Sequence, residues 1–417
     1  MLVVLRVLVL QHLQHLQHLS SSSSTSRFTA CHTVDSMRRF GVGRTRTRVL
    51  LGVLAVVSLV VVYTTKVSRK MPDFEVYWTA GARALAAEPL YRAEDGHFQF
   101  KYLPAFAVLA SPISKVPLPA AKAAWFAVSA VLMVVLLALS LRAMPELRLP
   151  PALLVVLTFL AMAKFYAHEL LLGQVNLLFA VVVVLAIVLM RRGRESAAGL
   201  LLAFAVVVKP YGVIFLPWVA ARRRVAFLTM TAGLLVILLL PAARYGWQGN
   251  LHQLADWWQT VTTTTAPNLT SPDNVSVAAM FAKWLGPEPP APALGAAASA
   301  ILLLLAAIVV AGRGKLPVPD TLEGSLLLLL IPLLSPQGWD YVFLIGTPAV
   351  MLLINDRRSL PDGLRLATMV SIAGVGLIIF DVVGRTAYST IMRLSLLTVL
   401  VVIEVAALVV LRFRRAA

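Results

Sequence analysis

The sequence predicts an all-α fold, a polytopic transmembrane helical bundle with about ten crossings plus re-entrant segments, and three observations carry that prediction. Of 417 residues, 59% are hydrophobic and only 13% charged, against roughly a quarter charged in soluble domains. Apolar runs of about 20 residues, enough for ~30 Å of hydrocarbon, recur along the chain. The basic residues fall in short loops between those runs, as a positive-inside arrangement requires. The net charge of +18 therefore reads as membrane orientation, and nucleic acid is not an expected partner. The single cysteine, Cys31, excludes a disulfide framework or a cysteine metal site within the chain.

The elements follow in order from charge and hydropathy. Residues 1–36 combine a short apolar run, Leu2–Leu10, with QHL repeats and the serine run Ser20–Ser24. This segment reads as a low-complexity extension outside the fold, a translated upstream region with Met37 as the start. A signal peptide fits less well, because only Arg6 is basic ahead of the apolar run. The histidines at 12, 15 and 18 are explained by the repeat. Residues 37–417 are then a single integral-membrane domain with outer loops at 66–118 and 242–292. Arg38, Arg39, Arg44, Arg46 and Arg48 place the start of span 49–65 in the cytoplasm, so the stretch after it faces outward. Residues 103–117 are too short and proline-punctuated to cross, and are expected to dip and return. Spans near 119–141, 150–166 and 175–190 alternate with Arg142 and Arg148 and with Arg191, Arg192 and Arg194.

Residues 197–220 resemble one ordinary span, yet arginine clusters flank both ends. Lys209-Pro210 interrupts it at its centre, and a lysine inside a membrane is costly unless it faces protein or water. Two half-helices meeting at Lys209-Pro210-Tyr211 and returning inside resolve both difficulties, with Lys209 toward the inner side. A single crossing that violates the charge rule is the alternative. Spans near 225–241, 293–311, 321–335, 341–354, 364–381 and 391–411 complete the count, with Arg313 and Lys315 on the cytoplasmic side.

The densest polar and aromatic stretch is Met71–Pro104, directly after the first span. A helix over Asp73–Leu85 aligns Phe74, Trp78 and Leu85 in one apolar stripe, with Asp73 and Tyr77 on the neighbouring face. Such a helix lies in the headgroup region and holds a carboxylate where lipid meets water. Further polar groups gather on the same expected side: Lys101 and Tyr102; His168, Glu169, Gln174 and Asn176; Asn274; Trp339 and Asp340; and Arg385. Aromatic faces, a carboxylate and a few cations suit transfer of a sugar from an anionic lipid phosphate to a hydroxyl. No phosphate-cradling glycine loop and no paired acidic nucleotide-sugar motif is present, so a nucleotide-activated donor and an obligatory metal are disfavoured and no cofactor is expected.

Five stretches in order carry a resemblance to a known family. They are DFEVYWTAGARAL followed by EPLY and FKYLPAFAVLASP, GQVNLL at 173–178, AAGLLLAFAVVVKPYGVIFLPW at 197–218, NVSVAAMF at 274–281, and LLSPQGWDY at 333–341. Together they resemble the C-type membrane glycosyltransferases of family 87, the polyprenol-phosphate-mannose-dependent mannosyltransferase group. The resemblance implies inverting transfer of a hexose, mannose favoured, from a polyprenyl-phosphate sugar to a glycolipid or cell-envelope glycan acceptor, with Asp73 as base. It implies work at the outer face of the cytoplasmic (plasma) membrane. One departure is that many members follow the SPxxWD stretch with a histidine pair, where this chain has Tyr341 and Val342. That leaves the grip on the donor phosphate, and an arabinosyl or other glycosyl donor, open.

Each selected residue also has a plainer reading. Lys101 can anchor at headgroups, Lys209 can be structural, and His168 and Glu169 can cap a helix end. Gln174 and Asn176 can hydrogen-bond between helices. Trp247, Trp257, Trp258 and Trp339 can be interfacial anchors, with Trp339 beside Asp340 also a sugar platform. Asn268 and Asn274 fit a glycosylation pattern that short motifs meet by chance. The rival function is a transporter or flippase of a lipid-linked saccharide, which predicts inverted repeats and midplane charges; no convincing repeat is visible.

Overall fold

A computed structural model describes residues 50, 52–312 and 319–414. The N-terminal extension with its histidines, the basic lead Arg38–Arg48, and Arg313 and Lys315 lie outside the described residues. Contacts divide the chain between Val62 and Tyr63. Residues 52–62 are helical, apolar and mostly exposed. The larger unit, from Tyr63 onward, carries the helical bundle.

Helix α1 (Pro72–Ala86) begins on a proline, whose fixed φ suits the first helical position, with Asp73 and Glu75 in its first turn. Its buried side is Phe74, Tyr77, Ala80, Gly81 and Ala84, not the expected stripe of Phe74, Trp78 and Leu85. The small residues decide this. A short helix, α2 (Pro104–Ala110), packs so closely that a Cβ on Gly81 would stand 3.0 Å from the Ala110 carbonyl oxygen. Trp78 turns away and donates from its indole nitrogen to the Val116 carbonyl at 2.9 Å. The 103–117 stretch thus packs back on α1 as a short helix and turn.

Helices α3 (Leu118–Ala143), α4 (Pro151–Leu172), α5 (Asn176–Arg191) and α6 (Glu195–Val208) run from the expected spans. No breaker precedes Gly173, so α4 continues past the expected end at 166 and carries His168 and Glu169 on its last turn. The chain breaks at Lys209, forms a 3-10 turn over Pro210–Ile214 and returns as α7 (Phe215–Arg222). Arg223 at the foot of α7 pairs with Glu195 at the start of α6 at 3.2 Å, so the two halves form a hairpin with its feet together.

Helix α8 (Arg224–Leu239) meets α9 (Ala242–Asn268) at 87°. The second expected outer loop is therefore largely helical. α9 lies along the 84–101 segment, with Arg244 donating to Ala84 O at 2.8 Å, Leu90 N to Gln253 Oε1 at 3.2 Å and Trp257 Nε1 to Lys101 O at 3.2 Å. The remaining helices are α10 (Val277–Leu285), α11 (Ala291–Ala311), α12 (Pro319–Leu334), α13 (Thr347–Asp356), α14 (Asp362–Leu377), α15 (Phe380–Val383), α16 (Arg385–Arg393) and α17 (Leu396–Arg414). Helices α3, α4, α11 and α17 are each long and apolar enough to cross a membrane, and α8 with α9 passes the same test as a bent pair. Among the described residues there is no strand, only one isolated bridge, Asn274 with Trp339. The fold is an all-α, multi-pass membrane bundle.

One end of the bundle is tied by buried charge. Glu323 on α12 accepts from Trp218 at 2.9 Å, Arg222 at 2.9 Å and Arg412 at 3.4 Å. Asp320 pairs with Arg223 at 2.8 Å, and Arg191 donates to Ala143 O at 2.5 Å. These contacts join α3, α5, α7, α12 and α17 at the arginine-rich end, and the hairpin tip at Lys209 lies at the opposite end.

Candidate active site

At that opposite end a cavity of about 610 Å³ is lined by α1, the 97–102 segment, the end of α4, the hairpin tip, α9 and two loops, 271–273 and 335–342. Local chain geometry brings Asp73 and Gln174 together there. Gly173 ends α4 at φ 71, a conformation glycine adopts without strain. A Cβ on it would stand 2.8 Å from the Phe74 Cβ, so only glycine lets α4 meet α1 this closely. Met71 ahead of α1 also has positive φ, 67°, and its backbone N–H donates to Leu171 O at 3.0 Å.

Asp73 is part-buried and hydrogen-bonded by Gln174. Burial raises its pKa above the ordinary carboxylate value, opposed by the charge of Lys209, the Gln174 hydrogen bond, and then His97 and His168. The Gln174 Oε1 accepts from Tyr77 at 2.9 Å, Lys209 Nζ at 3.1 Å and Tyr102 at 3.3 Å. Lys209 also donates to the Tyr102 hydroxyl at 2.8 Å and lies 4.8 Å from that ring's centre. Its expected position toward the inner side is corrected. The hairpin reaches across the bundle and delivers Lys209 to the Asp73 end. Lys101 approaches Gln337 Oε1 at 3.4 Å, and burial lowers its pKa against the influence of Asp73. Neither lysine takes part in a salt bridge among the described residues, and both line the cavity.

Of the expected contacts, Asp73, Tyr77, Lys101, Tyr102, His168, Gln174, Lys209, Trp339 and Asp340 line this one cavity. Three do not. Asn176 stands behind the wall, donating to Glu169 at 2.9 Å and accepting from the Tyr211 hydroxyl at 3.0 Å. Asn274 braces the two loops, its side-chain nitrogen donating to Pro336 O at 2.8 Å and Asn268 O at 3.0 Å. It is fully buried, which also excludes its glycosylation pattern from use in the folded protein. Arg385 is exposed at the start of α16 and does not line the cavity. Glu169 caps α5, accepting from Leu177 N at 2.9 Å, and Glu75 turns away to pair with Lys122.

Sequence reasoning did not select His97, Tyr211 and Asp273 as contacts, placed Gln337 among the outer polar groups without assigning it a contact, and took Trp257 for a membrane anchor; all five line the cavity. Tyr211 could have been found through its place beside Lys209-Pro210. Asp273 lies in a Ser-Pro-Asp-Asn turn that carries no chemical signature of its own.

A family model described as glycosyltransferase family 87 matches residues 100–336. The chain belongs to glycosyltransferase family 87. It is accordingly a membrane glycosyltransferase, whose chemistry needs a sugar donor and a glycan acceptor. The matched range includes Lys101, Gln174 and Lys209, begins after Asp73 and ends before Trp339. No curated protein and no solved structure matches the chain.

Proposed function

We propose that this family 87 glycosyltransferase moves a hexose, mannose in the favoured case, from a polyprenyl-phosphate donor to a lipid-linked or cell-envelope glycan, with inversion. The reaction takes place on the outer face of the plasma membrane. Asp73 takes the proton of an acceptor hydroxyl as that oxygen attacks the anomeric carbon from the side opposite the phosphate. The new C–O bond forms while the bond from the anomeric carbon to the phosphate oxygen breaks, and the lipid phosphate leaves with the additional negative charge. Lys209 and Lys101, which present positive charge to the same cavity, stabilise that charge as it develops. The tyrosines and Gln174 hold Lys209 in place between them.

The observation that carries this reading is the shared cavity. A carboxylate with a raised pKa and two lysines outside any salt bridge among the described residues line one space of about 610 Å³, large enough for a sugar and a phosphate. The arginine-rich opposite end favours an outward orientation of the cavity by the positive-inside rule. The reading is tested in reconstituted vesicles with a radiolabelled polyprenyl-phosphate mannose and native membrane glycolipids. Label is expected in a new glycan with the wild type and not with Asp73→Asn. Label that crosses the bilayer without a new bond would instead support the flippase reading.

A further inference from the structure

The cavity wall that carries Trp339 and Asp340 also carries Asp273 and His168. Asp340 Oδ1 lies 4.0 Å from His168 Nδ1, is buried, and has no hydrogen-bond partner among the described residues. The residue is only 6% exposed and lines the cavity. Asp273 lines the same wall, and its charge bears on Asp340. The two are fastened together, with Asp340 N donating to Asp273 O at 3.1 Å and Val275 N to Gly338 O at 2.6 Å. Tyr388 of α16 hydrogen-bonds Asp273 from outside. Trp339 supplies an aromatic wall next to Asp340. His168 lines the cavity together with Asp73 and Asp340.

A buried carboxylate oxygen with no partner in the chain is satisfied by a donor from water or a ligand. Sugar hydroxyls are such donors, and the C–H face of a sugar ring packs on an indole. A phosphate or uronate would instead meet two carboxylates on the cavity wall, which repel it at short range, while Lys164 and Lys283, whose charges also act on Asp340, do not line the cavity. The lysine part of the cavity has the reverse preference. We propose that Asp340 and Trp339, with Asp273 behind them, form the acceptor subsite, and that it takes the hydroxyl-bearing ring of an uncharged glycan and rejects an anionic one. This rests on the glycosyl-transfer reading and names the substrate class on its acceptor side. Asp340 binds a hydroxyl of the acceptor ring while Asp73 takes the proton from the reacting one.

The test is equilibrium binding to the full chain in lipid nanodiscs with three probes: hexyl mannoside, hexyl glucuronide and farnesyl phosphate. Wild type is expected to bind the mannoside at least tenfold more tightly than the glucuronide. Asp340→Asn should lower that preference at least fivefold, through weaker mannoside binding, while farnesyl phosphate binding stays within twofold. Equal binding of the two glycosides by wild type, or no binding of either, overturns the proposal without need of a variant. An unchanged preference in folded Asp340→Asn also overturns it. Failure of farnesyl phosphate to bind wild type would count against the lipid-phosphate donor, while the glycoside ratio still judges the acceptor subsite.

Discussion

Asp73 is governed by opposing influences: burial pushes its proton affinity up, and Lys209, Gln174 and two histidines pull it down. A base in that state is spent when protonated, so transfer should fall as pH drops through a pKa above the ordinary value of 3.8. Lys209→Met removes the strongest opposing charge. The acid limb of kcat/KM is therefore expected to move to higher pH, with a rise in the donor KM alongside. A limb that stays in place would show that Lys209 does not act on Asp73. Gly173 tests the positioning rather than the chemistry. Gly173→Ala forces a Cβ into Phe74 at a positive φ, so transfer should drop at least tenfold. The purified variant should also melt at a lower temperature, as read by thermal unfolding in detergent. Asp73 itself was legible in the sequence because a carboxylate beside aromatic rings after a span is conspicuous. Asp273 was not, because only the fold puts that turn against Asp340.

At the scale of elements, the hairpin α6–α7 is the device that brings a cation to the cavity. Proline after Lys209 and arginines at both ends announced the break. How far the tip reaches was hidden, because depth is set by the tertiary pairing of Arg223 with Glu195 and Asp320. The foot of the hairpin is fixed by Glu323, whose side chain is wholly buried between Arg222 and Arg412. Glu323→Gln leaves two arginines without their carboxylate, and breaking a buried pair in this way costs about 3–5 kcal/mol. A large fall in thermal stability is expected, and a melting temperature equal to wild type would refute the locking role. Helix α9 was read as part of an outer loop because its tryptophans, threonines and late proline lack a helical apolar period. Its order comes from partners on the 84–101 segment, and several of its threonines satisfy their hydroxyls on carbonyls one turn back.

For the whole molecule, alternation of spans and clustering of arginines were readable directly, because bilayer thickness and the cost of moving charge leave few solutions. The same bookkeeping predicts which end faces out. In a Cys31→Ser background, Glu94→Cys, exposed three residues before the cavity-lining His97, should react with a membrane-impermeant maleimide on intact cells. Arg194→Cys at the other end should react only after permeabilisation, and the reverse pattern would invert the proposed orientation. The assembly of one cavity from segments as distant as Asp73 and Asp340 was foreshadowed by the order of family-like stretches, while its lining beyond those stretches depended on packing. The most direct test of the central claim is an experimental structure of Asp73→Asn, which should hold the donor without consuming it, determined with polyprenyl-phosphate mannose. The account predicts the sugar beside residue 73 and the phosphate within hydrogen-bonding distance of Lys209. A donor bound elsewhere, with this cavity unfilled, would contradict it.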